Sequence, residues 1–536
     1  MPSYGTITVP TQKEHQSLLK KRSLLDIFGQ VREKELLLGD KAPLIKPLLT
    51  TDTPNGVGPT ELETFLPQDN STINGVTKYK LSKGNDPEAN NADYDPFKDR
   101  NLAHPVSDCD TLTHLLKASL GTGILSMPAA FCASGLVLGI FSTILVAVIC
   151  THCSYILVVC AHELYRRSGK NQMSFADVAE ECCLRGPKWA RKFSGVARQI
   201  VLLGIFTTYF TTCSCYSVII ARNFNYVVSY YLEREIEIRI TISLLIIPLI
   251  LLAYVPNLKY LAPVSMLANV FMAIGLGITF YYLVADIPPV SSRELAADIT
   301  TFPVFFSITV FAIEAIGVVM PLENHMKTPQ HFTGLCGVLN QGMSAVTLVY
   351  MLLGFFGYLK YGDKVEGSIT LNLPKEEYAA QAVNVVIGLA VFFTFGLQFY
   401  VCIDIAWNGI KKRYEKHEKV AQYVMRTIMV LICVSLAIAV PTIIPFVSLI
   451  GAFFFSILGL IVPVGIEVIT FWDKGFGRYN WKILKNAVVV AMGLMALIFG
   501  SKSAIEDIVA LYMAPAVVSN ATILNLTVPV INGTVS

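Results

Sequence analysis

Eleven long apolar stretches govern what this chain can fold into. They run roughly over 111–134, 136–161, 195–221, 239–256, 260–284, 301–322, 332–358, 381–407, 421–440, 445–471 and 486–510. About 20 predominantly apolar residues in a helix cross the hydrocarbon core of a bilayer, and within it only a helix or a closed barrel satisfies its own backbone. The stretches therefore predict an all-α polytopic membrane protein with eleven spanning helices. Composition agrees: 53% of the 536 residues are hydrophobic and only 15% are charged, where a soluble domain carries about a quarter charged.

Charge divides the chain into three parts. Residues 1–110 are polar and rich in Lys, Asp, Asn and Pro, which predicts a largely disordered N-tail. Residues 111–510 form the membrane domain, and 511–536 a short outer tail. Nothing at the start reads as a cleavable signal peptide, so the first spanning helix is expected to direct insertion itself. A net charge of +3 spread over short loops excludes nucleic acid as a partner. The twelve cysteines lack zinc spacing, since Cys150 and Cys153 lie inside an apolar run, so membrane packing is expected of them, with no metal and no cofactor.

Lys and Arg in short loops set orientation. With the N-tail in the cytoplasm, the inward loops hold Arg166, Arg167, Lys170, Arg185, Lys188, Arg191, Lys192, a Lys411–Lys419 cluster and Lys474 to Lys485. The outward loops hold far fewer cations, among them Arg234, Arg293, Lys360 and Lys375. An odd number of spans leaves the C-tail outside, where it carries three N-x-[ST] sequons at Asn520, Asn525 and Asn532.

Two of the apolar runs are interrupted. The first reads His114-Leu-Leu-Lys117-Ala-Ser-Leu-Gly121-Thr122-Gly123 and reaches Pro128; the sixth runs from Phe305 through Glu314-Ala-Ile-Gly317 to Pro321. Glycine followed by proline is where a helix unwinds, and unwound backbone at membrane depth must face protein or a water-filled cavity. Spans one and six each open a block of five, and an odd block length gives the two blocks opposite orientations. Broken helices in corresponding positions of inverted halves point to a transporter binding site. Half-helix N–H groups suit a carboxylate and half-helix carbonyls an ammonium, the two ends of an amino acid. Glycine and proline are also common in spanning helices, so either break alone carries little.

At these residues the sequence resembles the proton-assisted amino-acid transporters, a solute-carrier family of the amino acid/auxin permease group. The carrying strings are His114-Leu-Leu-Lys with Gly121-Thr-Gly, His152-Cys through Cys160-Ala-His162, Phe302-Pro-Val-Phe-Phe, Phe311 through Glu323-Asn, and Phe392-Phe-Thr-Phe-Gly-Leu-Gln398. The likeness covers about 105 to 510. It implies eleven spans in a LeuT-type 5+5 inverted repeat with helices one and six broken, small neutral amino acids as substrates and protons as driving ion. The long N-tail and the absence of cysteine from the outward loops depart from the family pattern.

The substrate site is expected at Gly121, Thr122 and Gly123 with the backbone from Glu314 to Gly317, and Tyr209 on span three as an aromatic gate. An ionisable group at the centre of a span costs about 2.5–3.5 kcal/mol on insertion scales, so Glu314 has a task. It either braces the unwound segment, holds the substrate ammonium or carries the proton. His114 shares a helix face with Lys117 and is the first proton-coupling candidate, because imidazole titrates near neutral pH; the resemblance adds a suspected role in proton linkage at this position. His152 and His162 read as packing groups, Glu467 as structural, and Thr394 as a hydroxyl available to sodium. An enzyme is not expected: His162-Glu163 lacks the second histidine of H-E-x-x-H, and no G-x-S-x-G follows a strand.

The function expected is secondary transport of glycine, alanine and proline by alternating access. The other reading is an amino-acid sensor that signals through the N-tail. Dileucine patterns at Leu18-Leu19, Leu37-Leu38 and Leu44-Ile45, each following an acidic residue, would engage sorting adaptors and add a late endosomal or lysosomal pool to the plasma membrane. We predict glycans on Asn520, Asn525 and Asn532 and none on Asn70, whose Asn-Ser-Thr lies in the inward tail. A cellular mass unmoved by glycosidase, or sugar on Asn70, would overturn the orientation.

Overall fold

The computed structural model describes residues 105–524, apart from 256–257 and 415–416, together with Pro96, Phe97 and Arg100. The dileucine patterns, Asn70, Asn525 and Asn532 lie outside the described residues.

The first span is split. Helix α1 (Asp108–Ser119) starts at Ser107, whose side chain accepts from the Asp110 N–H, with Asp108 and Asp110 in the first turn where acids favour the helix dipole. A 3₁₀ turn (Thr122–Ser126) follows, then α2 (Met127–Ser134), and the two halves meet at 46°. Next come α3 (Leu136–Ser168), the short α4 (Phe175–Leu184) and the long α5 (Ser194–Tyr231). Gly169, at φ 70°, ends α3 behind Arg166 and Arg167, a left-handed stop that residues with a Cβ rarely adopt. The sixth span is also split, into α9 (Phe302–Ile313) and α10 (Ile316–His325).

The remaining apolar runs fold as α8 (Leu258–Val284), α11 (Val338–Tyr361), α12 (Tyr378–Ile410) and α13 (Glu418–Ala439). The tenth span comprises α14 (Ile443–Leu449), a π-helical stretch (Ile450–Ile461) and α15 (Val462–Thr470). The last holds α16 (Trp481–Met495), a π turn (Ala496–Gly500) and α17 (Ser501–Leu524). Helix α17 runs through Asn520, beyond residue 510.

The count differs from eleven. Among the described residues nine helices are long and apolar enough to cross a membrane, or ten when the bent first pair is taken as one span. The run over 239–256 falls short. It forms α6 (Ile238–Leu244) and α7 (Ile246–Ala253), separated at Leu245. Pro248 explains the interruption, because it has no N–H to give the Leu244 carbonyl one turn back. Together the two pieces rise about 24 Å at 1.5 Å per residue, less than the hydrocarbon thickness of about 30 Å.

Small residues let the broken spans pack closely. A Cβ placed on Gly123 would stand 2.6 Å from the Ala312 Cα, so the first break lies backbone against backbone on α9. The π stretch lies along the sixth span in the same way: Gly451 abuts the Ser307 carbonyl and Gly459 the Glu314 carboxylate. π-bulges recur at functional sites, and this one leaves room for an acid inside the bundle.

Candidate functional site

Both interruptions have defined geometry. Leu120 (φ −78°, ψ 60°) and Gly121 (φ −87°, ψ −165°) carry the chain out of α1, while the Tyr350 hydroxyl donates to the Ser119 carbonyl at 2.5 Å. In the sixth span Glu314 (φ −66°, ψ 121°) and Ala315 (φ −123°, ψ 11°) leave the helix. Glu314 Oε1 accepts from the Ile316 N–H at 3.0 Å and so caps α10 from within the break. Its other oxygen is buried beside Gly459.

A cavity of about 190 Å³ opens at these breaks. It is lined by Lys117 to Gly123 from the first span, by Phe311, Ala312, Glu314, Ala315, Gly317 and Val318 from the sixth, and by Tyr209, Thr212 and Tyr216 of α5. Helix α8 adds Ala268, Asn269 and Met272; α12 adds Thr394, Leu397, Gln398 and Val401; the π stretch adds Phe455. An engineered cavity of about 150 Å³ holds benzene, and alanine has as many non-hydrogen atoms as benzene. The volume suits a molecule of that size.

The geometry brings together every residue expected to form the substrate site: Gly121, Thr122, Gly123, Tyr209, Glu314 and Gly317. The two glycines differ in surroundings. A Cβ on Gly121 meets nothing within 4 Å, whereas one on Gly123 collides with the backbone of α9. His114 is half-buried on α1 and does not line the cavity, while Lys117, one turn on, does. Thr394 lines it too, its hydroxyl donating to the Ala390 carbonyl of its own helix at 2.8 Å. His152 stacks on Tyr155, His162 binds Glu323 at 2.9 Å, and Glu467 accepts from Lys485 at 2.9 Å, all three away from the cavity.

Sequence reasoning passed over Asn269, Thr212, Tyr216, Phe311 and Phe455. For Asn269 a signal existed, a polar amide in the middle of an apolar run. Gln398 and Thr394 stand one turn apart, so their shared face was also readable.

Comparison with known proteins follows the same line. The family model described as "Transmembrane amino acid transporter protein" matches residues 104–506, and the chain belongs to that family. Over 457 residues it is 58% identical to the "Proton-coupled amino acid transporter-like protein pathetic" of Drosophila melanogaster, covering 85% of this chain and 96% of that protein. It is 25% identical over 416 residues to the "Probable amino acid transporter skat-1" of Caenorhabditis elegans, covering 75% and 90%. Among solved structures, the inward-facing conformation of Mhp1 matches with a TM-score of 0.48 and 12% identity, covering 77% of this chain and 92% of that one.

The two glycines should separate on substitution. Gly123→Val forces a side chain into the Ala312 backbone, an overpacking that costs about 1–3 kcal/mol, and should sharply lower the yield of monodisperse protein extracted from membranes. Gly121→Val should leave that yield close to wild type. Equal yields would mean that the close approach of the first break to α9 is not needed for folding.

Proposed function

We propose that the chain is a secondary transporter of small neutral amino acids, the glycine, alanine and proline class, driven by protons and working by alternating access. The observation that carries this reading is the cavity of about 190 Å³ at two opposed helix breaks, in a chain of the transmembrane amino acid transporter family. The first N–H groups of the Thr122–Ser126 turn lack intrahelical partners and suit the substrate carboxylate. The last carbonyls of α9 suit the ammonium. The Ile316 N–H already serves Glu314, which favours the first break for the carboxylate. Tyr209 closes over the bound molecule as an aromatic wall. Lys117 places a cation beside the cavity and disfavours cationic side chains.

His114 is assigned the coupling proton, with Glu314 as the alternative carrier. A proton added to Glu314 would fall on Oε2, the oxygen beside Gly459, since Oε1 is held by the Ile316 N–H. We place the basic loops in the cytoplasm, with the protein at the plasma membrane and in late endosomes or lysosomes. The second reading, an amino-acid sensor, draws on one observation: Arg100, ahead of the first span, is bound to the end of α10, whose other end borders the cavity.

Uptake of labelled alanine, glycine and proline should exceed background and rise as external pH falls from about 7.5 to about 5.5, a range that brackets ordinary imidazole titration. His114→Ala should flatten that dependence with the protein still in the membrane, while Glu314→Gln should preserve it. The reverse pattern would move coupling to Glu314, and a flat wild-type profile would remove it.

Gly121→Val should weaken substrate. It fills the open space that the carboxylate would occupy, and losing a charge-assisted contact costs about 1.5–3 kcal/mol, roughly ten- to a hundredfold in affinity. Unchanged half-saturation in a normally expressed variant would show that substrate does not touch the first break.

A further inference from the structure

The most deeply buried acid that the transport chemistry leaves unused, among the described residues, is Glu323, in the last turn of α10. Its side chain is fully buried and each oxygen is engaged. Oε1 accepts from Arg100 Nη2 at 2.8 Å and from His162 Nε2 at 2.9 Å, and Oε2 accepts from the Tyr165 hydroxyl at 2.9 Å. Arg100, whose side chain is 2% exposed, precedes the first span by several residues. Its guanidinium donates further to the Glu323 carbonyl at 2.9 Å and, through Nε, to the Asn171 carbonyl at 2.6 Å, and it lies 5.2 Å from the Tyr165 ring centre.

One planar cation thus ties three things: the side chain at the end of α10, a terminal carbonyl of that half-helix, and the loop after α3. Five donors in a fixed fork allow this, and lysine has no such fork. A second tie lies beside it. The Val106 N–H donates to the His325 carbonyl and the Val106 carbonyl accepts from the Lys327 N–H, both at 2.9 Å. Asn324 adds a third, its side chain donating to the Met173 carbonyl at 2.8 Å.

The other end of α10 is the break itself. The half-helix has 10 residues, about 15 Å at 1.5 Å per residue. Ala315, Gly317 and Val318, at its start, line the cavity. One half-helix is therefore clamped at one end and borders the site at the other.

We propose that Arg100 is a positioning residue for transport: by clamping Glu323 and Asn171 together it sets the tilt of α10, and so controls the step in which the empty carrier reorients. Arg100 and its partners lie outside the cavity lining. This rests on the transport reading above.

The test uses the full chain in liposomes with labelled alanine, comparing net uptake into empty vesicles with exchange into alanine-loaded ones. Exchange bypasses reorientation of the empty carrier and net uptake requires it. Arg100→Ala should change the exchange-to-net ratio by about fivefold or more, the low end of a conformational coupling, with half-saturation in exchange within about twofold of wild type. Arg100→Lys should fall between, and Glu323→Gln should resemble Arg100→Ala. Wild-type uptake with unaltered ratios in all three variants overturns the latch alone, even where protein yield falls. Absence of wild-type uptake of alanine, glycine and proline overturns the transport reading and the latch with it. Should no variant reach the membrane, amide exchange on the wild type decides. Saturating alanine must then alter protection at Val106 and Lys327 as well as along α10, and a change confined to the cavity refutes the clamp.

Discussion

A backbone that leaves helical geometry inside hydrocarbon bares N–H and C=O groups that lipid cannot satisfy, at several kcal/mol each. Among the described residues the two split spans do so at Leu120–Gly121 and at Glu314–Ala315, and much of the surrounding packing serves to shelter those two places. Tyr350 donates to the Ser119 carbonyl at the first break. Glu314 caps the Ile316 N–H at the second. The π stretch of the tenth span brings Gly459 against that carboxylate, where a larger residue would have expelled it. What stays uncovered at the breaks faces the cavity, and that uncovered backbone is what a zwitterion needs.

The two breaks constrain each other. Because Gly123 meets the Ala312 backbone directly, the first span cannot shift along the sixth without losing that contact. Closely packed elements with few voids change arrangement as units rather than by continuous deformation. Movement at the cavity is therefore expected to carry α1 and α10 as units, with the unwound residues as hinges. Leu120 and Ala315, outside regular helix and bordering the cavity, occupy the hinge positions.

The parts of this arrangement that local chemistry dictates were legible in the sequence. Length and apolarity located the spans, and glycine ahead of proline located both breaks. The five residues assigned to one site from those breaks, and Tyr209 expected beside them on span three, line one cavity. What the apolar pattern hid was the break ahead of Pro248, since a hydropathy run does not register a missing N–H. Gly121 and Gly123 looked equivalent, because a sequence does not say which glycine faces space and which faces backbone. Asn269 and Phe455 were illegible as partners for a different reason: they come from spans whose positions around the breaks only packing decides.

Arg100 is the extreme case of that limit. In the sequence it is one cation in a polar stretch, 223 residues from Glu323, and nothing local distinguishes it from its neighbours. Only the fold supplies a carboxylate with no exposure, a histidine on one of its oxygens and a tyrosine on the other, and a carbonyl at the helix end within reach of the same guanidinium. Stripping one partner from a buried pair leaves an uncompensated charge and costs about 3–5 kcal/mol, whereas the intact pair adds little net stability. A contact of that kind is better suited to holding one geometry than to holding the fold together. Its place at the far end of the half-helix that begins at the cavity is what makes that geometry matter for transport.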